Sequence, residues 1–195
     1  MNPDESQVPP RPTALARTLL REVIHPGDLV IDATAGNGHD TLFLAECVGS
    51  NGSVLAFDVQ ENAIRSTRER LHQAGLASRV RLYQTSHAHL AAHAELGSVS
   101  AIMFNLGYLP GDDHQLTTET ATTLAALDAA TNLLKPGGTL TIVCYPGHEE
   151  GATEAAEVET WLTTLATNGW RIARYALLGT ARAAPFLLVA RKTGT

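Results

Sequence analysis

The sequence lacks any run of about 18 apolar residues, the length that a membrane-spanning helix requires, so we predict no membrane span. The first twelve residues carry Asp4 and Glu5 where a signal peptide would be positively charged, and they have no apolar segment. We therefore predict a disordered lead over residues 1–12 and a cytoplasmic protein. The chain that follows, residues 13–195, has no internal repeat and no linker, which predicts a single domain.

Cysteine and lysine are both scarce. The two cysteines, Cys47 and Cys144, lie in apolar runs, and without a secretion signal we expect both to be reduced and buried. Lysine occurs only at positions 135 and 192, so arginine supplies almost all of the positive charge. The formal net charge is −6, which argues against a general nucleic-acid binder because the surface of such a protein is usually basic. A nucleic-acid enzyme with a local arginine patch stays open.

Short β-rich runs alternate with helical stretches along the chain, a pattern typical of a parallel sheet covered on both faces. The predicted strands are residues 29–33, 54–58, 80–84, 101–105, 139–145, 172–178 and 186–190. The predicted helices are residues 13–24, 40–48, 61–74, 117–134 and 154–167. Only a short loop joins the last two strands, so they form an antiparallel hairpin. We predict a Rossmann-like α/β fold with a mostly parallel seven-stranded sheet and one antiparallel strand near the C-terminus.

The strongest local motif is an apolar strand that leads into a glycine turn and a helix. It reads Val30-Ile-Asp-Ala-Thr-Ala-Gly-Asn-Gly-His-Asp-Thr-Leu42. Gly36 and Gly38 remove side chains where the turn is tight and a ligand comes close. A dinucleotide fingerprint needs a third glycine, but position 41 is Thr, and Asp32 and Asp40 would repel a diphosphate. S-adenosylmethionine carries an ammonium and a sulfonium and no phosphate, so an acidic glycine loop suits it.

Further polar residues follow the second and third predicted strands at the same edge of the sheet. Asp58 ends the second strand, where a carboxylate can accept both hydroxyls of a ribose. Ser86 and His87 follow the third strand and are candidates for contact with the adenine edge or the ribose, although a capping or surface role is an alternative. His89 and His93 have helical spacing but no evident third ligand, so we predict no metal site.

The fourth predicted strand ends in Asn105-Leu-Gly-Tyr108, which is similar to the Asn/Asp-Pro-Pro-Tyr motif of methyltransferases that act on amino groups. Methyl transfer to nitrogen is an in-line displacement, so the amine lone pair must face the methyl carbon. Asn105 Oδ1 and the Leu106 carbonyl can accept the amine hydrogens and aim that lone pair, while Tyr108 can stack on a base. The alternative is that Asn105 only ends a strand and Tyr108 packs.

Tyr145 and His148 follow the fifth predicted strand and are expected to face the substrate. A neutral histidine can take the proton that methylation releases, but the amine can also lose this proton to water. A general base is therefore optional, and a purely structural turn at these residues stays open.

Five segments together match the motif pattern of one known family. They are Asp32-Ala-Thr-x-Gly-Asn-Gly-His-Asp-Thr-Leu-Phe-Leu-Ala45, Phe57-Asp-Val-Gln60, Phe104-Asn-Leu-Gly-Tyr-Leu-Pro110, Thr122-Thr123 and Tyr145-x-Gly-His-x-Glu-Gly151. This combination resembles the YtqB-like family of rRNA methylases, which includes the MnmM tRNA 5-aminomethyl-2-thiouridine methyltransferases. The resemblance implies a class I S-adenosylmethionine-dependent methyltransferase fold. It also implies methylation of the aminomethyl nitrogen on the wobble uridine, in the anticodon region of tRNA.

The resemblance also implies roles for individual residues. Those expected to hold the cofactor are Asp32, Gly36, Asn37, Gly38, Asp58, Gln60 and His87, and we add Asp40, Thr41, Ser86 and Asn105 from their positions. Those expected on the substrate side, with catalytic roles, are Asn105, Tyr108, Tyr145 and His148. The N-terminal segment and the last hairpin loop can reach the same edge of the sheet. We therefore predict that Arg11, Arg17 and Arg182 contact RNA phosphates.

Four other functions are weighed at this point. The small size and acidic charge favour a small-molecule amine methyltransferase, and an rRNA substrate is a further alternative. A non-catalytic cofactor-binding regulator would keep the glycine loop but would lose Asn105-Leu-Gly-Tyr108. A nucleotide-linked oxidoreductase is disfavoured by Asp32 and Asp40. The fold alone does not separate these functions, and a homodimer is also left open.

Overall fold

A computed structural model describes residues 9–107 and 120–194, which form a seven-stranded sheet with helices on both faces. The strands are β1 Leu29–Asp32, β2 Ser53–Asp58, β3 Val80–Gln84, β4 Val99–Leu106, β5 Leu134–Cys144, β6 Trp170–Ala176 and β7 Phe186–Lys192. The helices are α1 Pro12–Arg21, α2 His39–Cys47, α3 Glu61–Gln73, α4 Thr120–Leu133 and α5 Glu149–Leu165. The predicted strands and helices are confirmed, with differences of a few residues at their ends. The predicted start of the fourth helix, at residue 117, lies outside the described residues.

The strand order in the sheet is β3-β2-β1-β4-β5-β7-β6. All strands are parallel to one another except β7, which lies antiparallel between β5 and β6. The prediction of one antiparallel strand near the C-terminus is therefore confirmed. The chain moves outward from β1 to β3 and then returns to place β4 on the other side of β1. Such a reversal opens a crevice at the carboxyl ends of β1 and β4, where ligands bind in open α/β sheets.

The core is divided by the sheet into two apolar layers. Within β4, Ile102 and Phe104 face the layer that α4 and α5 complete, whereas Met103 faces the layer of α1, α2 and α3. This alternation follows from the two-residue repeat of a strand and explains why six of the eight residues of β4 are apolar. Full burial of a side chain such as Phe57 or Phe104 contributes about 1.5–3 kcal/mol to folding.

The two cysteines occupy different environments. Cys144 is buried in β5, as expected, and both thiols are free. Cys47 is only partly buried, so the expectation of full burial is wrong for this residue, which is the last of α2. Within residues 9–107 and 120–194, no helix is long and apolar enough to cross a bilayer.

The N-terminal end of the described chain is attached to the sheet. The Tyr175 hydroxyl of β6 donates a hydrogen bond to the Pro10 carbonyl at 2.8 Å, and Pro12 is the buried first residue of α1. Proline suits this first helical position because its missing N–H would have no partner there. The division of the chain into a lead over residues 1–12 and a domain over residues 13–195 stays a prediction, since residues 1–8 lie outside the described part.

Candidate active site

A cavity of about 890 Å³ opens at the carboxyl ends of the strands, next to the β1–β4 crevice. Several parts of the chain line it: the start of α1, the loop from β1 to α2, the ends of β2, β3, β4 and β5, and the β6–β7 loop. The sequence-predicted residues among its lining are Arg17, Gly36, Asn37, Asp40, Asp58, Gln60, Ser86, His87, Asn105, Tyr145 and His148. The fold therefore brings most of the candidate residues to one cavity.

The loop between β1 and α2 depends on its two glycines. Gly36 and Gly38 have φ angles of +52° and +77°, in the left-handed region that side chains disfavour. A Cβ on Gly38 would lie 2.8 Å from Thr67 Cα, so α3 leaves no room for a side chain there. The Gly36 carbonyl accepts a hydrogen bond from Thr67 Oγ1 at 3.0 Å, which fixes the loop against α3.

Asp58 joins the glycine loop to the end of β2. Its Oδ2 accepts a hydrogen bond from Gly36 N at 2.9 Å, and its Oδ1 accepts one from Gln60 N, also at 2.9 Å. Burial raises the pKa of Asp58 above its usual value, and these backbone donors oppose the rise. Each oxygen keeps a second lone pair, so the carboxylate can still accept two hydroxyl groups of a ligand.

Asp32, Thr41 and Gly38 were predicted to bind the cofactor, but they support the loop from behind the cavity wall. Asp32 is fully buried, and it accepts hydrogen bonds from Thr41 Oγ1 at 2.6 Å and from Thr34 N at 3.1 Å. Burial, followed by the nearby Asp40 charge, raises the pKa of Asp32 to about 7. Neither Asp32 nor Thr41 belongs to the cavity lining, because each side chain is enclosed by its neighbours.

Ser86 and His87 both line the cavity beyond β3. Ser86 Oγ also accepts a hydrogen bond from Ala88 N at 3.2 Å, so this residue caps a turn as well. Burial lowers the pKa of His87, while a hydrogen bond to the Ala33 carbonyl opposes this shift. Its Nε2 is buried and has no hydrogen-bond partner within residues 9–107 and 120–194, so the neutral ring presents an acceptor nitrogen.

The other two histidines of this region are engaged elsewhere. His89 Nδ1 lies 3.0 Å from Thr85 Oγ1, and the His93 ring packs against Tyr83 with centroids 4.1 Å apart. Among the described residues, no cluster of His, Cys, Asp and Glu side chains could hold a metal ion.

Asn105 is held at two points at the end of β4. Its backbone N–H donates to Thr34 Oγ1 at 2.8 Å, and its Nδ2 donates to Asp40 Oδ2 at 2.8 Å. The other Asp40 oxygen accepts a hydrogen bond from Arg17 Nε at 2.6 Å. Asn105 Oδ1 is buried, and none of the described residues donates a hydrogen bond to it. The amide is therefore oriented with its nitrogen occupied and its oxygen available as an acceptor.

Tyr145 and His148 follow β5 and line the cavity beside the end of β4. A Cβ on Gly107 would lie 3.4 Å from the Tyr145 ring, so the end of β4 packs closely on that ring. Burial, followed by the Asp40 charge, raises the pKa of Tyr145. His148 is the N-cap of α5, and its Nδ1 accepts a hydrogen bond from Gly151 N at 3.1 Å. A neutral ring in this arrangement carries its hydrogen on Nε2, so it is a hydrogen-bond donor there rather than a base.

The remaining candidates lie at or outside the margin of the cavity. Leu106 is buried at the end of β4, and Arg11 is the exposed N-cap of α1. Arg182 is exposed in the β6–β7 loop and does not line the cavity, although the next residue, Ala183, does. Tyr108 falls outside the described residues.

Sequence reasoning missed several cavity residues. His39 lies inside the glycine motif, so its position next to Asp40 was a usable signal. Thr13, Ala183 and Pro185 come from distant parts of the chain, and no local pattern marks them. Thr122 also lines the cavity, and its place in the Thr122-Thr123 segment of the family pattern was a usable signal.

Comparisons with known proteins agree with this architecture. The family described as "Putative rRNA methylase" matches residues 54–191. The chain belongs to this family. A structure of an rRNA methylase of this kind from Clostridium thermocellum is 36% identical, covers 93% of this chain and 97% of its own, and superimposes with a TM-score of 0.90. The resemblance and the fold class predicted from the sequence are therefore confirmed.

Two further relatives carry more specific descriptions. A methyltransferase from Streptococcus mutans, solved in complex with SAH, is 34% identical over 93% of this chain and 98% of its own, with a TM-score of 0.85. The chloroplastic tRNA (mnm(5)s(2)U34)-methyltransferase of Arabidopsis thaliana is 39% identical over 175 residues, which is 85% of this chain. This chain spans 64% of the length of the Arabidopsis protein.

Proposed function

We propose that this protein is an S-adenosylmethionine-dependent N-methyltransferase. Its proposed substrate is the aminomethyl group of 5-aminomethyl-2-thiouridine at the wobble position of tRNA, and its product is the methylaminomethyl nucleoside. The observation that carries the proposal is the oriented Asn105 amide, whose buried Oδ1 has no partner among the described residues and which lines the same cavity as the glycine loop. The Arabidopsis relative supports the tRNA substrate.

The cofactor side of the cavity fits the adenosine part of S-adenosylmethionine. Asp58 retains acceptor capacity for both ribose hydroxyls, since each oxygen uses one lone pair for a backbone N–H. Gln60 Oε1 and His87 Nε2 are buried acceptors without partners in the described part of the chain, and they suit the amino edge of an adenine. When bound, the cofactor supplies an electrophilic methyl group on a positively charged sulfur. The complex of the Streptococcus mutans relative with SAH supports this assignment.

The acceptor side would orient the amine. Asn105 Oδ1 and the Leu106 carbonyl accept the two amine hydrogens, which leaves the nitrogen lone pair free to face the methyl carbon. Tyr145 packs beside the acceptor, and we assign the same task to Tyr108. His148 Nε2–H donates a hydrogen bond to a substrate oxygen, while the proton released after transfer passes from the product amine to water.

Arg11 and Arg182 are the arginines that we assign to tRNA phosphates, because both are exposed and adjoin segments that line the cavity. Arg17 is less suited to that task, since its Nε is used by Asp40. The second candidate function is methylation of a small-molecule amine, which the net charge of −6 favours. For the cellular location we keep the cytoplasm as our proposal.

Nucleoside analysis tests the proposal. Total tRNA from a strain that lacks the gene is expected to accumulate 5-aminomethyl-2-thiouridine, and the wild-type gene should restore the methylated form. A gene encoding Asn105→Ala should fail to restore it, although the protein is present at normal level. Purified enzyme should transfer methyl from S-adenosylmethionine to the accumulated tRNA. An unchanged nucleoside profile together with no transfer in vitro overturns the tRNA assignment and favours the small amine.

A further inference from the structure

Three elements that are far apart in sequence meet at the Asn105 side chain. Arg17 from α1 binds Asp40 from α2 at 2.6 Å, and Asp40 binds Asn105 Nδ2 from β4 at 2.8 Å. Asp40 is 11% exposed at its side chain and Arg17 28%, so the ion pair is partly shielded from water. Shielding strengthens the influence of these charges on their neighbours.

An acceptor amine bound at Asn105 Oδ1 would lie on the order of 6 Å from the Asp40 carboxylate, since the two contacts share one amide group. An opposite charge at this range stabilises the charged form of a titratable group. An unpaired Asp40 would therefore favour the ammonium form of the substrate, which has no lone pair and cannot attack a methyl group. The carboxylate that orients Asn105 would therefore also reduce the fraction of the acceptor amine that is unprotonated and able to react.

We propose that Arg17 is a positioning residue that neutralises Asp40, so that Asp40 can orient the Asn105 amide without holding the acceptor amine in its protonated form. This inference rests on the proposed amine methylation and adds a role for α1 in it. A guanidinium suits the task because it stays charged at every pH at which the protein works. The sequence alone had assigned Arg17 to RNA phosphates, which is a different role with a different experimental signature.

Other titratable groups also face this ion pair. Among the described residues, the Asp40 charge acts on Asp32 from β1, on His39 from α2 and on Tyr145, which directly follows β5. The Arg17 charge opposes that of Asp40 at both His39 and Tyr145. A change in pH dependence after loss of Arg17 must therefore be assigned to Asp40 by a second substitution.

The deciding experiment is single-turnover methyl transfer to aminomethyl-bearing tRNA, with saturating cofactor and RNA, between pH 6 and pH 9. Arg17→Met should move the midpoint of the pH–rate profile upward by about one unit, which lowers the rate near neutral pH by about tenfold. The affinity for tRNA should stay within about twofold. The double variant Arg17→Met/Asp40→Asn should return the midpoint to its wild-type position, because the uncompensated charge is gone.

Arg21→Met is the matched control. Arg21 lies one turn further along α1, is exposed and stacks over Phe43 at 5.3 Å, away from Asp40. Its loss should leave the pH midpoint unchanged. An unmoved midpoint in Arg17→Met overturns the proposal, and so does a midpoint that stays shifted in the double variant. If Arg17→Met instead weakens tRNA binding and its salt dependence at a normal rate, Arg17 is a phosphate contact.

A measurement without substrate separates this inference from the proposed function. In ¹⁵N-labelled protein, the Asn105 side-chain amide, identified by its loss in Asn105→Ala, should exchange its hydrogens slowly because Nδ2 is bonded to Asp40. Asp40→Ala should accelerate this exchange by at least tenfold. If the wild-type protein methylates no tRNA amine, the proposed function fails. If the wild-type amide exchanges as fast as in Asp40→Ala, Asp40 does not orient the Asn105 amide. The role proposed for Arg17 is then overturned, whatever the substrate is.

Discussion

The two halves of the cavity are constructed differently. The cofactor half, at the ends of β1, β2 and β3, is fixed by contacts to the backbone: Asp58 accepts from two main-chain N–H groups, and Thr67 binds a glycine carbonyl. The acceptor half, at the ends of β4 and β5, depends on contacts between side chains, above all the chain from Arg17 through Asp40 to Asn105. One half is fixed by hydrogen bonds to main-chain atoms, and the other by an ion pair and a hydrogen bond between side chains.

This difference has consequences for how each half responds to change. Hydrogen bonds from backbone N–H donors to a carboxylate persist as long as the loop is folded, so single substitutions in the cofactor half should act on affinity. The series of side chains from Arg17 to Asn105 contains charges, so the loss of any one member leaves its partner buried and unpaired and disturbs the orientation of the others. Substitutions in the acceptor half should therefore act on the rate of transfer.

The largest effect is expected for Asn105→Ala in the acceptor half. Loss of the oriented amide oxygen should lower the single-turnover rate roughly 10²–10³-fold, the scale of removing one well-placed polar group at a reacting centre. Cofactor affinity, measured by calorimetry, should change by less than about threefold. Near-normal turnover in this variant would show that another group orients the amine.

Asp58→Ala should produce the opposite pattern in the cofactor half. Two charge-assisted hydrogen bonds to the ribose would be lost, which should weaken cofactor binding by about 2–3 kcal/mol, or roughly 30- to 150-fold. Calorimetry with S-adenosylmethionine measures this change. The rate at saturating cofactor should fall much less than in Asn105→Ala. A change in affinity below threefold would remove Asp58 from the proposed ribose contact.

The same difference between the halves explains what could be predicted from the sequence. The strand–glycine–helix motif and the position of Asp58 are local, so the sequence was sufficient to predict both. The sequence does not distinguish residues that line the cavity from residues behind its wall, because both kinds lie in the same motif. Asp32 and Thr41 were therefore predicted to belong to the lining. The pair of Arg17 and Asp40 depends on how α1 packs against α2, and no periodicity or spacing encodes that contact.

Gly38→Ala tests whether the cofactor half depends on its backbone. The substitution places a side chain at φ +77° and 2.8 Å from Thr67 Cα, so strain and collision add together. We expect a loss of about 2 kcal/mol in the free energy of unfolding. Gly75→Ala is the control, since Gly75 has φ +69° but nothing within 4 Å of the added Cβ, and it should lose about 1 kcal/mol. Equal losses in denaturant titrations would contradict the close approach of α3.

Asp32 gives an effect that is visible only as a pH dependence. Its pKa is about 7 in the folded protein, because of burial and the Asp40 charge, against 3.8 for an unperturbed carboxyl. The folded state therefore keeps a proton that the unfolded chain releases between about pH 4 and pH 7. Stability must then fall as the pH rises through this window.

Asp32→Asn removes this titration while its amide can still satisfy Thr34 and Thr41. Relative to wild type, the variant should gain about 2.5 kcal/mol of stability between pH 5 and pH 7.5, measured by denaturant unfolding. Asp28→Asn is the control of opposite sign. Partial burial raises the pKa of Asp28, but hydrogen bonds led by that from Lys135 bring it below its usual value. Its stability difference should be constant over the same range, because that carboxyl is ionised throughout. If the stability difference between Asp32→Asn and wild type is equally constant, Asp32 is already ionised at pH 5. Burial then does not raise its pKa to about 7.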